Sequence, residues 1–357
     1  MSVKLLSMMS IMRSISATVL AILAVLLPSA VHAQLQPNAR ANGETLIIQY
    51  IGGSLANYQA TIAGKKGMCE KHGFKCEIKA INVGPLAVQA LVGKSVDVAL
   101  TGTDTAVANI VQGGDLVIVG TLRQNNPFLI ATRADVAMPN KTKGYPAIMQ
   151  DFKGKTVGVT SRGAATETNV IALLQGAGLQ ASDVTFVPVG GPATAFQALT
   201  VGKQIDFLSI FEPIPTLCAG AKACEVVIDL RNGNFGPKAI TDMNGAMVAL
   251  LMRREMVESN PKLVHAYLAA MSEATKWAQD PANFDEVVKI YEPVINFGAA
   301  PNADEMRRTL LKAEIPTSSP GMETSRPALK AIVDFALANK TISTTIDPMK
   351  LVWKEAP

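Results

Sequence analysis

Four short stretches of this chain carry side chains able to hold a ligand. Ser161-Arg162-Gly163-Ala164 sets a guanidinium among small residues. A planar fork of that kind matches two oxygens of a carboxylate or sulfonate, although an arginine in a turn serves equally as a solvent-facing charge. Glu212, between Phe211 and Pro213, is an acid with little scaffolding reason to stand there, and it suits a ligand amine or hydroxyl. Gly52-Gly53-Ser54 and Gly102-Thr103-Asp104-Thr105 add hydroxyls, one carboxyl and backbone N–H groups. Thr103, Asp104 and Thr105 also fit the commoner task of capping a helix, and Tyr50 and Phe211 fit either an apolar wall or the core.

Groups for catalysis are scarce. The histidines are His32, His72 and His265, and none stands where a Ser/His/Asp set could be assembled. Ser161 lacks a base, and neither a metal cluster nor a phosphate loop can be composed. The reading is therefore binding without turnover, with no cofactor and no enzymatic activity. The four cysteines form two local pairs, Cys69 with Cys76 and Cys218 with Cys224. Neither pair has zinc spacing; disulfides in an oxidising compartment and buried free thiols both remain open.

The elements that must position these loops come in two copies. Gly84 to Val107 and Gly191 to Thr216 share Gly-Pro, Gln-Ala-Leu, Gly-Lys and a hydrophobic-Asp step at an offset of 107 to 109 residues. The strand-like ETLIIQYIGGS from Glu44 faces GKTVGVTSRG from Gly154 at the same offset, with Ile47 on Thr156 and Gly52 on Ser161. Apolar runs ending in glycine read as strands of a covered sheet. The order is a strand at Thr45–Ile51, a helix at Leu55–His72, a strand at Lys75–Asn82, a helix at Pro85–Val92, and strands at Val96–Leu100 and Asp115–Leu122 around a helix at Thr105–Gln112. A second series runs from Phe128 to Leu230, and from about Arg231 the composition turns helical, beginning with a long amphipathic stretch from Pro261 to Trp277. The fold class is α/β, with ligand loops beyond the carboxyl ends of the strands.

Residues 1–33 read as a signal peptide: Lys4 and Arg13, an apolar run from Ala17 to Leu27, and Val31-His32-Ala33 before Gln34. Removing them takes away two positive charges and no acid, so the net charge of +4 becomes +2. That is too near neutral for a nucleic-acid partner.

IGGS at 51–54, ALVGKSVDVALTGTDT at 90–105, FKGKTVGVTSRGAATE at 152–167 and FEPIP at 211–215 resemble the substrate-binding proteins of ABC importers for sulfonates, taurine and nitrate, and the related binders of thiamine pyrimidine precursors. The resemblance covers nearly all of the chain after the signal segment. It implies a two-lobed periplasmic-binding-protein fold of type II, each lobe a mostly parallel sheet flanked by helices, with a helical C-terminal tail. Lobe 1 would comprise 34–124 plus 236–357 and lobe 2 would comprise 125–235. It further implies a soluble periplasmic protein that closes over a small anionic organic solute, such as a sulfonate, a taurine-like compound or a carboxylate, and delivers it to an ABC permease in the inner membrane. A solute sensor for a signalling receptor, and a pyrimidine-precursor binder, are the alternatives.

Overall fold

The computed structural model describes residues 35–297 and 302–357. The expected signal peptide at 1–33 lies outside the described residues.

Ten strands are described: β1 Thr45–Tyr50, β2 Lys75–Ala80, β3 Ala99–Gly102, β4 Leu116–Arg123, β5 Leu129–Thr132, β6 Thr156–Val159, β7 Thr185–Pro188, β8 Phe207–Ile210, β9 Glu225–Asp229 and β10 Val248–Arg253. One sheet runs β7-β6-β8-β5-β9. Its β6 is parallel to β7 and β8, while β5 is antiparallel to both β8 and β9. The other strands form β1-β2 and β3-β10-β4, tied together by a parallel bridge between Ile48 and Val98. The resulting order, β2-β1-β3-β10-β4, repeats that of the first sheet, again with one strand, β10, antiparallel to its neighbours.

The copies share the same internal staples. Asp97 accepts the Ile47 N–H at 3.0 Å and pairs with Arg253 Nη2 at 2.6 Å; Arg253 also donates to the carbonyls of Leu91 and Val96. In the second copy Asp206 accepts the Thr156 N–H at 2.9 Å, and Arg133 bonds the carbonyls of Leu199 and Ile205, with its Nη2 3.9 Å from Asp206. Each arginine ends an antiparallel strand or follows it directly, because that strand runs back past the loop before the neighbouring parallel strand. The repeated Asp in the sequence is thus a scaffold group, closing the turn that follows helix Gly84–Val92 in one copy and Pro192–Thr200 in the other.

Helices α1 Tyr58–Lys65 and α2 Met68–Lys71 replace the single helix expected from Leu55 to His72. The break falls at Gly67, whose φ of +67° is a left-handed conformation that glycine adopts without steric cost. Helices α3 Gly84–Val92, α4 Thr103–Val111, α5 Ala165–Gly176, α6 Pro192–Thr200 and α7 Ile214–Ala221 cover the sheets, followed by α8 Lys238–Thr241. The C-terminal part adds α9 Arg254–Ser259, α10 Pro261–Gln279, α11 Phe284–Tyr291, α12 Ala303–Glu314 and α13 Arg326–Ala338. On α10 Asn260 caps the first turn by accepting the Leu263 N–H, and the helix buries Leu263, Tyr267, Leu268 and Met271, a face consistent with its apolar spacing. Disulfides join Cys69 to Cys76 and Cys218 to Cys224. Among the described residues no helix is long and apolar enough to cross a membrane.

Candidate functional site

A cavity of about 80 Å³ lies between the two sheets. One water needs roughly 10–15 Å³ of such free space, so the cavity suits a compact organic molecule. The first copy contributes Leu100, Thr101 and Gly102 from β3, Leu122 and Arg123 from the end of β4, and Val248 from β10. The second copy contributes Phe128, Thr160 and Ala164, and Phe211 and Glu212 just beyond β8. Glu314, the last residue of α12, closes the wall. The site therefore sits beyond the carboxyl ends of parallel strands, where loops turn into helices.

Most of that wall is apolar. Phe128 and Phe211 meet edge to face with ring centroids 6.1 Å apart, an arrangement that aligns a ring edge with a ring face. Thr160 and Thr166 spend their hydroxyls on each other at 3.0 Å. Thr101 differs: it is 3% exposed, and its Oγ1 has no hydrogen-bond partner among the described residues. A Cβ built on Gly84, itself part of the lining, would fall 2.4 Å from that oxygen. Glycine at 84 leaves the hydroxyl room at the cavity wall.

The charged end is a chain of five groups. Arg123 Nη2 lies 2.9 Å from Glu314 Oε2, both side chains 9% exposed, and its Nη1 donates to the Glu314 carbonyl at 3.4 Å. Arg231 Nη1 donates to Glu212 Oε1 at 2.9 Å and stands 3.8 Å from Glu314 Oε1, while its Nη2 holds Asp229 at 2.7 Å. Glu212 Oε2 accepts from the Thr216 N–H and hydroxyl at 3.3 and 3.0 Å. Burial first, and then the Glu314 carboxylate, push the Glu212 carboxyl above its ordinary range, against the pull of Arg231. The hydrogen-bonded Asp229 carboxylate, more than any other neighbour, holds the Arg231 guanidinium above its own.

The residues singled out in the sequence divide into three groups. Ala164, Phe211 and Glu212 line the cavity. Asp104, Arg162 and Gly163 line a separate outer hollow with Glu167, Thr168 and Phe335. There Arg162, 64% exposed, pairs with Glu167 at 2.8 Å and lies 5.5 Å over the Phe186 ring, and burial raises the Asp104 carboxyl. Gly52, Gly53, Ser54, Thr103 and Ser161 belong to neither lining. Ser54 is a turn residue: its hydroxyl donates to the Ile51 carbonyl and accepts the Ala56 N–H. Gly52 donates its N–H to Asn82, Gly53 takes φ +70°, and the buried hydroxyls of Thr103 and Ser161 have no partner among the described residues.

Thr101, Arg123 and Glu314 were not visible as site residues from the sequence. Thr101 and Arg123 stand at the carboxyl ends of strands, a position that could have flagged them. Glu314 comes from a helix 191 residues after Arg123, and no local pattern marks it.

The NMT1/THI5-like family model matches residues 58–283. A protein of Brucella abortus described as a candidate binding protein is 26% identical over 62% of this chain, and the match spans 64% of that relative's length. Among solved structures, the alkanesulfonate-binding protein SsuA of Xanthomonas axonopodis, bound to MOPS, superimposes with a TM-score of 0.68 at 17% identity, covering 88% of this chain and 99% of that one. The periplasmic nitrate-binding protein NrtA of Synechocystis gives a TM-score of 0.67 at 18% identity over 89% and 88% of the two chains. Those two likenesses show the two-lobed α/β fold of periplasmic binding proteins.

Proposed function

The chain belongs to the NMT1/THI5-like family, and on that premise we propose that it captures one small solute between two closing lobes and delivers it to an ABC permease, as the soluble subunit of an importer in the periplasm. The observation that carries this reading is the cavity between the sheets, walled by both copies and by α12. The lobes would be 34–124 with 236–357, and 125–235, with residues 1–33 as the export signal. Contacts between the copies support closure as the working motion: Thr105 Oγ1 donates to the Gly163 carbonyl at 3.3 Å, and Arg231 approaches Glu314 across the gap. A solute touching both walls stabilises the closed form by its differential affinity alone.

The lining also changes the expectation for the solute. Its arginine, Arg123, is committed to Glu314, and Arg162 stands outside, so the wall favours an apolar body over a sulfonate or carboxylate. Thermal unfolding against sulfonates, nitrate, carboxylates, amines, aromatic compounds and pyrimidines tests capture directly, since a solute at about 100 times its dissociation constant adds roughly 2.7 kcal/mol. Binding with a smaller radius of gyration in solution scattering is the expected result. No stabilisation by any class, together with no small molecule released from the denatured protein, would overturn the reading.

A further inference from the structure

We propose that the solute is a compact apolar molecule bearing a protonated amine, whose N–H groups meet the Glu314 carboxylate and the Thr101 hydroxyl. This rests on the solute-capture reading above and names its substrate class.

Three observations carry it. Two guanidinium groups, Arg123 and Arg231, face three carboxylates, Glu212, Glu314 and Asp229, so the charged end is one negative charge in excess. Glu314 lines the cavity, and its Oε1 stands 3.8 Å from Arg231 Nη1, beyond hydrogen-bond reach. Thr101 supplies an independent sign: the residue is 97% removed from solvent and its hydroxyl has no partner among the described residues. A buried hydroxyl without a partner is costly unless something outside the fold satisfies it. A primary ammonium offers three donors and no acceptor, which answers a lone carboxylate oxygen and a hydroxyl together. The remaining wall, with Ile51, Leu55, Leu122, Phe128, Phe211 and Val248, accepts hydrocarbon.

An anionic solute meets the opposite conditions. It would face Glu212 and Glu314, and it could recruit Arg123 only by stripping that group from a buried carboxylate, which would then be left unpaired.

The test is calorimetric titration of the purified full chain, at neutral pH and up to millimolar concentration, with three probes on one ring: cyclohexylamine, cyclohexanol and cyclohexanecarboxylate. The amine is expected to bind about ten- to a hundredfold more tightly than the alcohol, the increment of a hydrogen bond to a charged group, and the carboxylate weakest. Glu314→Gln should erase the preference for amine over alcohol. Because that change also leaves Arg123 without its carboxylate, Thr101→Val provides a second arm. It should weaken the amine several-fold while raising the melting temperature of the ligand-free protein, a combination that a purely structural hydroxyl would not produce. Equal or tighter binding of the carboxylate overturns the amine assignment and leaves solute capture standing. Failure of all three probes also overturns the assignment, and the broader solute screen then decides separately whether capture itself fails.

Discussion

The two copies of the βαβ unit agree in their staples and differ at their facing ends. Both hold an aspartate on the amide of the first strand and an arginine that follows or ends an antiparallel strand. Where they meet, the first copy presents Thr101 and Arg123, and the second presents Phe211 and Glu212. Duplication preserved what each sheet needs in order to close. The two walls of the cavity carry different side chains, each mixing apolar and polar groups.

The largest expected effect comes from the staples themselves. Asp97 and Arg253 are tightly paired, with side-chain exposures of 16% and 13%, so Asp97→Ala should cost about 3–5 kcal/mol by leaving a mostly buried guanidinium unpaired. Asp206→Ala should cost less, about 1–3 kcal/mol, since Arg133 stands 3.9 Å from Asp206 and keeps a second carboxylate, Asp135, at 2.8 Å. Urea unfolding of the two variants measures the difference, and equal losses would break the proposed asymmetry.

The disulfides extend the comparison. Each closes a short loop, of sequence separation 7 in the first copy and 6 in the second. Replacing either pair by serine should cost roughly 2–3 kcal/mol on the chain-entropy account. Near-identical losses in denaturant titrations would agree with it; a loss confined to one copy would show that local packing dominates there.

Thr101→Val acts in the other direction. Removing a buried hydroxyl that has no partner should stabilise the ligand-free protein by about 1–2 kcal/mol, visible as a higher melting temperature. A fall would mean that the hydroxyl is satisfied in solution.

The smallest effect concerns pH. Burial and Glu314 raise the Glu212 carboxyl above its ordinary value of 4.5, so in that window the folded protein binds more protons at this site than the unfolded chain. Its contribution is therefore fully present below 4.5 and is lost as pH rises through the raised value. The groups that set this are Arg231, Glu314 and Thr216 around the carboxyl, with Asp229 and Arg123 behind them. Glu212→Gln should flatten the pH dependence of ligand-free stability just above 4.5, as followed by thermal unfolding across that range; an unchanged slope would assign it to another group.

Much of the fold was legible in the sequence because it rests on short-range rules. Apolar runs bounded by Gly52-Gly53 or closed by Gly93 mark buried strands and helix ends, and the offset between Asp97 and Asp206 exposes the duplication. The break at Gly67 escaped because the apolar spacing continues through it and only the left-handed φ interrupts the helix.

The candidate site was legible only where an apolar and an acidic group stand side by side in one motif. Phe211-Glu212-Pro213 announced itself, since an acid beside a strand end is locally anomalous. Arg162 looked like a clamp by type and position; it lines the outer hollow instead, paired with Glu167, five residues on, at 2.8 Å. The chain order of residues determined the two copies, their strands and the loops that face each other. Tertiary structure decided the charge of the cavity, because electrostatic pairing depends on distances in space: α12 brings Glu314 onto Arg123 and beside Arg231, converting a wall whose charges would have balanced into one with a carboxylate to spare.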